Sequence, residues 1–346
     1  MSESKTSNQN QADALTSRGV WVWCEQNQGT PLRVSLEALG EGRRLADQLE
    51  VPLTALLLGN QLGTMPDLLI AHGADQVYLV EDPALQVYQD ESYTEIIAIL
   101  IQKEKPEIVL IGGSTYGRSL APRLAARIRT GLAADCTSLA IDSEQRLLLQ
   151  TRPTYGGSLM ATIICPDRRP QMATIRPKAM KALPQDDTRT GKVIRPEVRL
   201  PADLKTSVVE VVADLNKMVN LADADIIVSG GRGVGDQANF AILEELARTL
   251  GGAVGATRAV VDAGWIAYNH QVGQTGKTVR PKIYFACGIS GAAQHLAGMS
   301  SSDVIIAINK DPDAPIFQVA TYGLVGNLLE IVPALTREFK ARTTQG

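Results

Sequence analysis

Residues that could bind a phosphate-bearing cofactor are concentrated between Gly255 and Pro315. Within this stretch the segments GATRAVVDAGW, QVGQTGK, GISGAAQHLAGM and AINKDPDAP follow one another along the chain. Glycines, hydroxyls, cations, histidine and asparagine occur there where strands are predicted to end. In open parallel sheets, ligands bind beyond the carboxyl ends of strands, where backbone NH groups and helix N-termini are available. The pattern therefore predicts a buried site for such a cofactor.

The turn SGGRGVGD directly follows a predicted strand and places Arg232 between glycines. A guanidinium there can bind a diphosphate through two hydrogen bonds, whereas a solvated arginine in a flexible turn explains the sequence equally well. Gly233–Ala238 also matches the dinucleotide fingerprint GxGxxA, although the acidic residue expected after the following strand has no clear counterpart. Arg232 is a phosphate ligand in one interpretation and a surface residue in the other.

The segment from Ser290 to His295 ends an apolar strand and opens a predicted helix. The backbone amides at Ala292 and Ala293 are expected to point into the crevice beyond the sheet. Gln294 and His295 then lie in the first helical turn, where the imidazole could donate a hydrogen bond to a carbonyl or an anionic ring. The alternative is a histidine that interacts only with its own protein.

The segment QTGK, which begins at Gln274, is not a phosphate-binding P-loop. The full pattern needs a glycine where the chain has Gln271, and Pro281 and a strand follow instead of a helix. The amide of Gln274 and the hydroxyl of Thr275 suit hydrogen bonding to a planar heterocycle. An ordinary polar turn is the alternative.

No serine–histidine–aspartate triad, isolated carboxylate pair or metal-ligand spacing emerges from the sequence. The cysteines Cys24, Cys136, Cys165 and Cys287 are far apart in apolar or strand-like segments and are predicted to be core residues. Cofactor-binding residues without an evident acid, base or nucleophile indicate a cofactor that carries the chemistry while the protein positions and tunes it.

Apolar runs of strand length alternate with amphipathic helical patterns in the first half of the chain. The strands are predicted at Val20–Gln26, Thr54–Gly59, Gln76–Asp82 and Glu107–Gly113, and the helices at Leu36–Glu50, Met65–Gly73 and Ser92–Lys105. This alternation indicates a parallel sheet covered on both faces. The runs RLLLQTRP, SLMATIICP and QMATIRP leave no room for helices between them, so an antiparallel segment is predicted there.

A second alternating series follows the charged stretch Lys178–Pro201, which is predicted to be a linker or a long surface strand. Strands are predicted at Val208–Ala213, Ala224–Gly231, Lys282–Ser290 and Asp303–Pro312, and helices at Asp236–Leu250, from about Gly291, and at Asn327–Lys340. The fold class is α/β with two domains, residues 19–203 and 204–346, after a disordered tail of residues 1–18. The first is a nucleotide-binding-like parallel sheet with an added antiparallel β segment, and the second a doubly wound parallel sheet.

The composition argues against several classes of protein. The chain has 346 residues, 45% of them hydrophobic and 21% charged, and a formal net charge of -3. It can therefore bury two ordinary cores. Without a basic block or an apolar run that approaches a bilayer span, neither nucleic-acid binding nor membrane insertion is expected. The polar N-terminus lacks an apolar signal region, so we expect a cytoplasmic protein.

The strings VGQTGK, GISGAAQHLAGM, AINKDPDAPIF and YGLVG resemble the α subunit of electron-transfer flavoproteins. In the first half, YGRSLAPRLAARIRTGLAADCT and TRPTYGGSLMATI are similar to the same family, so the resemblance covers nearly all of the chain after its tail. It implies a heterodimer with a β subunit and an FAD held mainly by the second domain.

The resemblance gives the residues near the flavin ring their roles. Arg258 would lie against the isoalloxazine, and Gln274 and Thr275, with Gly276 beside them, would hydrogen-bond its N5 and O4 edge. The residues that would wrap the ring and the diphosphate are Ser290, Gly291, Ala292, Ala293, Gln294 and His295. Arg258, Thr275, His295 and the helix dipole would favour electron density on the ring, raise its reduction potential and support one-electron transfer.

The remaining roles concern the diphosphate and the adenosine. The resemblance implies that Arg232 contacts the diphosphate, that Thr257 adds a hydroxyl, and that Asn309 meets the adenosine end. Thr321 and Tyr322 are also assigned to the adenosine end.

Two positions depart from the family pattern. Many relatives have aspartate where this chain has Thr321, and a second aspartate where it has Asn327. If the first aspartate bonds the adenosine portion, Thr321 keeps a hydroxyl but loses the charge.

The segment TRPTYGGSLMATIICPDRRPQMATIRP resembles α subunits of anaerobic bacteria whose flavoproteins oxidise NADH and bifurcate electrons between ferredoxin and an acyl-CoA dehydrogenase. NADH and ferredoxin would be reached through the β subunit, and oxidoreductase activity would need that subunit and a partner dehydrogenase. A non-bifurcating carrier that takes electrons from acyl-CoA dehydrogenases is the first alternative. An NAD-dependent oxidoreductase, favoured by GVGDQA, is the second, and a nucleotide-sensing module whose EIVLIGGSTYGRS turn accepts AMP is the third.

Overall fold

The computed structural model describes residues 18–27, 29–154, 159–198, 203–211, 221 and 224–343. The chain forms two compact units, Met1–Val211 and Val212–Gly346. The tail predicted at residues 1–18 lies outside the described residues apart from Arg18, and the domain boundary after residue 203 stays a prediction. In the described ranges no helix combines the length and the apolar character needed to cross a bilayer.

The first unit contains a parallel sheet and a small antiparallel sheet. Its strands are β1 (Val20–Trp23), β2 (Gln26–Asn27), β3 (Thr30–Pro31), β4 (Leu53–Gly59), β5 (Gln76–Glu81), β6 (Ile108–Gly112), β7 (Leu132–Cys136), β8 (Ser138–Asp142), β9 (Leu147–Thr154), β10 (Leu159–Ile163), β11 (Gln171–Ile175) and β12 (Lys192–Ile194). Its helices are α1 (Arg33–Leu49), α2 (Met65–Ala71), α3 (Asp90–Glu104) and α4 (Thr115–Ile128). The large sheet has the order β12-β5-β4-β1-β6-β11-β7 with all neighbours parallel, and β10-β9-β8 form the antiparallel sheet.

Helices cover both faces of this parallel sheet, as predicted. All seven residues of β4 are buried, because successive side chains enter opposite cores. Leu57 packs in the core formed with α1 and α2, whereas Leu56 and Leu58 pack in the core formed with α3 and α4. A near-continuous apolar sequence is what a strand buried on both faces requires.

Three details of the first unit differ from the prediction. Gln171–Ile175 is not antiparallel, because this wholly buried strand lies between β6 and β7 and is parallel to both. The antiparallel strands β8 to β10 connect β7 to β11, so no crossover helix is needed. The stretch Lys178–Pro201 contributes the short strand β12 beside β5. Cys165 is only half-buried, whereas the other three cysteines are buried.

The second unit contains a five-stranded parallel sheet. Its strands are β13 (Ile226–Gly230), β14 (Ala253–Ala256), β15 (Ile283–Cys287), β16 (Val304–Asn309) and β17 (Tyr322–Val325), and its helices are α5 (Phe240–Thr249), α6 (Arg258–Asp262), α7 (Ala293–Leu296) and α8 (Leu328–Thr343). The strand order is β14-β13-β15-β16-β17, with every pair parallel. One core packs on each face of the sheet. The protein is therefore α/β with two parallel sheets and an added antiparallel segment, as predicted.

Local boundaries in the second unit depart from the pattern. Residues 208–211 form no strand, and the rest of the predicted strand Val208–Ala213 lies outside the described residues. Helix α5 begins at Phe240 after a short 3-10 turn, not at Asp236. Helix α7 has only four residues.

We expect the pair between Glu107 and Arg146 to contribute measurably to the stability of the first unit. Glu107 is 1% exposed and accepts hydrogen bonds from Nε and Nη2 of Arg146 at 3.0 and 2.7 Å. Arg146→Met leaves this buried carboxylate without its cation and should lower the free energy of unfolding by about 3 kcal/mol, the lower end for buried pairs because Arg146 is partly exposed. Denaturant titration followed by circular dichroism measures the change.

Arg127→Met is the matched control. Arg127 makes the same two-bond contact with Glu95, but the Glu95 side chain is 29% exposed and that of Arg127 is 54% exposed, so neither is buried. We expect a far smaller loss, because water replaces an exposed ion pair. Equal losses in the two variants would contradict the role assigned to burial.

Candidate functional site

The carboxyl ends of the strands in the second unit lie along one edge of its sheet. Gly230, the last residue of β13, is in register with Ala256 of β14 and with Cys287 of β15. Cys287 in turn pairs with Ile308, one residue before the end of β16 at Asn309. The turns that follow these strands therefore emerge side by side. Most of the predicted binding residues lie on them.

Two of these turns approach each other through their backbones. The amide of Gly231 donates to the Cys287 carbonyl at 3.0 Å, and the amide of Gly233 donates to the Gly288 carbonyl at 3.0 Å. A Cβ on Gly233 would lie 2.7 Å from the Cα of Gly288, and a Cβ on Gly288 would lie 2.7 Å from the carbonyl carbon of Gly233. Gly288 also has a φ of 62°. Only glycine allows this contact, which holds exposed Arg232 beside the turn after β15.

The dinucleotide fingerprint at Gly233–Ala238 does not form the structure that the motif requires. Gly235 has a φ of 87°, and helix α5 begins only at Phe240. The Asp236 side chain accepts a hydrogen bond of 2.8 Å from the Ala238 amide. A carboxylate therefore occupies one of the amides that a pyrophosphate would use, which argues against the fingerprint interpretation.

The turn that contains Gln274 and Thr275 is attached to the sheet edge at two points. The amide of Val272 donates to the carbonyl of Ala256, the last residue of β14, at 2.9 Å. The amide of Gln274 donates to the carbonyl of Gln294 in α7 at 2.8 Å. Gln274 and Thr275 are both exposed. The structure thus brings their polar side chains to the same edge as α7.

His295 is buried in this edge and is only 6% exposed. Its Nδ1 lies 3.0 Å from the Val272 carbonyl, and its Nε2 lies 3.0 Å from the Tyr284 hydroxyl. Because a carbonyl can only accept, Nδ1 donates and Nε2 accepts from Tyr284. Burial lowers the pKa of His295 to about 4, and the hydrogen bond to Val272 offsets only part of that effect. The ring is therefore neutral at pH 7, and the expected role of His295 in tuning a cofactor stays a prediction.

Thr257 and Arg258 lie at the start of the short helix α6. Thr257 occupies the N-cap position, yet its side chain makes no capping hydrogen bond. Its backbone amide donates to the Gly230 carbonyl at 3.0 Å. Arg258 is 67% exposed, and its Nε lies 3.1 Å from the equally accessible Asp262 carboxylate. An exposed ion pair of this kind is weak, so the guanidinium can turn toward an anionic ligand.

Asn309 connects the turns that follow β15 and β16. Its Nδ2 donates to the Ile289 carbonyl at 2.9 Å, and its Oδ1 accepts from the Asp311 amide at 3.0 Å. Both ends of the carboxamide are therefore bonded within the protein. The predicted contact of Asn309 with an adenosine stays a prediction, but its structural role is clear.

Thr321 lies in another part of the sheet. Its Oγ1 accepts from the Ile305 amide at 3.0 Å, and its amide donates to the Ile305 carbonyl at 2.8 Å. Ile305 is at the amino end of β16, about 13 Å along the strand from Asn309. The Thr321 hydroxyl thus bonds within the sheet and away from the carboxyl edge, and its assignment to the adenosine end stays a prediction. Tyr322, the first residue of β17, stays a prediction.

Asn327 follows the carboxyl end of β17 and lies at the site edge instead. The amide of Gly326 donates to the Asn309 carbonyl at 3.0 Å. The Asn327 side chain accepts from the Leu329 amide at 3.1 Å and donates to Glu330 at 3.0 Å. Asparagine followed by glutamate three residues later is a helix-start pattern that the sequence shows and that could have placed this residue.

The equivalent edge of the first sheet is closed by the chain's own groups. Ser114 caps α4 by accepting from the Gly117 amide at 2.9 Å, and its hydroxyl donates to the carboxylate of Glu25. Glu25 is 8% exposed. The rings of Tyr88 and Tyr116 stack 4.3 Å apart over the same region. The Glu25 carboxyl group thus lies at the N-cap of α4, which argues against the AMP interpretation of this turn.

The arrangement in the second unit fits an elongated ligand with an anionic centre and a flat polar end. The paired glycine turns bring backbone close together next to the exposed guanidinium of Arg232. Thr257 offers a hydroxyl not used in capping. Gln274 and Thr275 offer an amide and a hydroxyl. These groups can bind a diphosphate and a heterocycle without providing an acid, base or nucleophile of their own.

Comparison with known proteins gives one consistent result. The electron transfer flavoprotein domain matches residues 20–201, and the electron transfer flavoprotein FAD-binding domain matches residues 220–300. An electron transfer flavoprotein subunit alpha from Thermoanaerobacterium thermosaccharolyticum is 54% identical over 93% of this chain and 98% of its own length.

Two further relatives agree with this match. A protein FixB from Clostridium saccharobutylicum is 52% identical over 93% of this chain and 96% of its own length. A protein named acryloyl-CoA reductase electron transfer subunit beta, from Anaerotignum propionicum, is 44% identical over 96% of this chain and 98% of its own length. The FAD-binding match includes the paired glycine turns and the turn with Thr275, and it identifies FAD as the cofactor of this chain. The chain belongs to the electron-transfer flavoprotein family as an α subunit that takes part in electron transfer.

Proposed function

We propose that this chain pairs with a β subunit and holds FAD at the carboxyl edge of its second sheet, in a complex that oxidises NADH. Electrons then pass singly to ferredoxin and to an acyl-CoA dehydrogenase. The attachment of the Thr275 turn to both β14 and α7 is the observation that supports the FAD site of this proposal most directly. Bound FAD supplies the one-electron chemistry, and the chain supplies position and charge.

The residues of the edge divide the binding task between the two ends of the cofactor. Arg232, beside the contact of Gly233 and Gly288, would neutralise the diphosphate. Thr257 would add a hydroxyl bond close to it. Gln274 and Thr275 would hydrogen-bond the flavin edge, because their side chains are exposed on a turn whose backbone is fixed.

Arg258 is the main source of positive charge for the flavin in this proposal. His295 is neutral at pH 7 because its pKa is about 4, so it supports the turn and α7 through its ring nitrogens. Arg258 is exposed and pairs with Asp262, which is also exposed. A guanidinium beside the ring stabilises the more negative, reduced form and raises the reduction potential.

The bifurcating assignment is supported by the relatives. Those with 54% and 52% identity come from Thermoanaerobacterium and Clostridium. The name of the Anaerotignum propionicum protein places it with an acryloyl-CoA reductase, which acts on an acyl-CoA. We extend that partner class to this chain as part of the proposal. The segment TRPTYGGSLMATIICPDRRPQMATIRP supports the same subtype.

Co-purification with the β subunit tests the subtype. Two FAD per heterodimer, with flavin bleaching by NADH, is the expected result. One FAD together with one AMP, and no reduction by NADH, would favour the simple carrier of electrons from acyl-CoA dehydrogenases. Extraction and quantification of the nucleotides, followed by anaerobic titration with NADH, provide both readouts.

Arg258→Ala should leave FAD bound but lower its first reduction potential. The expected loss is about 1 kcal/mol in stabilisation of the reduced flavin, appropriate to an exposed charge near the ring. A spectroscopic redox titration of the heterodimer measures it. Arg258→Lys should keep most of the potential, and Arg248→Ala, which removes an exposed arginine from the last turn of α5, should leave it unchanged. An unaltered potential in Arg258→Ala refutes the role.

Gly288→Ala should weaken FAD binding by forcing apart the two glycine turns. Gly251→Ala is the matched control, because Gly251 has nearly the same φ, 64° against 62°, but nothing within 4 Å of an added Cβ. Both variants should lose about 1 kcal/mol of stability from backbone strain, and Gly288→Ala about 1–3 kcal/mol more from the backbone clash. Calorimetry of FAD binding, alongside thermal unfolding, separates the two effects. Equal FAD affinity in both variants would exclude a role for the close approach.

A further inference from the structure

Gln271 is buried behind the turn that carries Thr275. Only 2% of Gln271 is exposed, and its Nε2 donates a hydrogen bond of 3.0 Å to Oγ1 of Thr275. Its backbone is held as well, since its carbonyl accepts from the Lys277 amide at 2.8 Å. A Cβ on Gly276 would lie 2.5 Å from that carbonyl oxygen. Glycine at position 276 therefore lets the turn close tightly around Gln271.

This hydrogen bond restricts where the proton of the Thr275 hydroxyl can point. A threonine hydroxyl has one proton and two acceptor lone pairs. The amide N–H of Gln271 occupies one lone pair, so the proton must point away from Nε2. Because Thr275 is exposed, the free direction is the open side of the turn. The hydroxyl is thereby prepared to donate to a ligand atom on that open side.

We infer that Gln271 is a positioning residue that orients the Thr275 hydroxyl as a hydrogen-bond donor toward the flavin. The inference rests on the proposed function, which places Thr275 at the N5 and O4 edge. A donor at that edge stabilises the ring more strongly as the ring gains electron density. Gln271 therefore raises the reduction potential without contacting FAD.

Tyr268 provides an internal comparison. Its hydroxyl donates to the backbone carbonyl of Thr275 at 2.7 Å, and its side chain is 66% exposed. This bond fixes the backbone of the same residue but does not act on the side-chain hydroxyl. Tyr268→Phe thus removes one hydrogen bond to Thr275 without changing the direction of its proton.

The test uses the FAD-loaded heterodimer and a double-mutant cycle. Gln271→Met keeps the volume but removes the donor, and Thr275→Val removes the hydroxyl. We expect Gln271→Met to reduce the equilibrium constant for the first one-electron reduction by about threefold to tenfold, the range for one net hydrogen bond. Thr275→Val should reduce it at least as much, and the double variant should match Thr275→Val alone, because Gln271 acts through the hydroxyl. Both midpoint potentials, FAD content and circular dichroism are measured for each variant.

Each failure has a distinct meaning. An unchanged reduction potential in Thr275→Val would refute the proposed contact of Thr275 with the flavin, and the inference about Gln271 would fail with it. If Thr275→Val shifts the reduction potential and Gln271→Met does not, the inference about Gln271 is overturned while the proposed function stands. The same holds if Gln271→Met shifts the potential equally with and without the Thr275 hydroxyl. Tyr268→Phe should leave both midpoint potentials unchanged. If it shifts them as much as Gln271→Met does, the effect of Gln271→Met comes from loosening of the turn, and the inference is overturned.

Gln271→Glu is a second variant that tests the inference if Gln271→Met does not retain FAD. Its carboxylate has nearly the same shape but accepts a hydrogen bond, so the Thr275 proton turns inward. The potential should fall further with the Thr275 hydroxyl present than in the Thr275→Val background, where only the added charge acts. Equal falls in the two backgrounds would overturn the inference.

Discussion

The contact between the backbones of Gly233 and Gly288 determines the geometry of the site in the second unit. Two strand-exit turns meet there without side chains between them, and hydrogen bonds from Gly231 and Gly233 hold them together. Any larger residue would push the turns apart, since backbone atoms cannot rotate out of the way as side-chain atoms can. The position of Arg232 relative to the turn after β15 follows from this contact.

A second regularity concerns which polar groups are buried at that edge. His295 and Gln271 are both nearly inaccessible, and each bonds to the protein itself. Arg232, Arg258 and Thr275 are exposed. Buried polar groups are costly unless bonded, so they hold the turns in place, whereas the exposed groups keep hydrogen-bonding capacity for a ligand.

The layout of both sheets could be predicted from the sequence because strands buried on two faces are nearly all apolar, as in β4. The neighbours of β11 and its direction in the sheet could not be predicted, because a buried strand is equally apolar whether it runs parallel or antiparallel to its neighbours. At the site, glycine and hydroxyl patterns predicted that the segment with Thr275 lies at the carboxyl edge of the second sheet, where its turn is attached to β14. The neutral state of His295 and the inward bond of Thr321 depend on tertiary neighbours that local spacing does not reveal.

The hydrogen bond between Ser114 and Glu25 places a carboxyl group of the chain at the turn that follows β6. This group is part of the polypeptide, so it is present at every concentration of free adenylates. A phosphate that binds at this turn would have to displace the Glu25 side chain from Ser114. Adenylate binding at this turn is therefore disfavoured by a group that belongs to the protein itself.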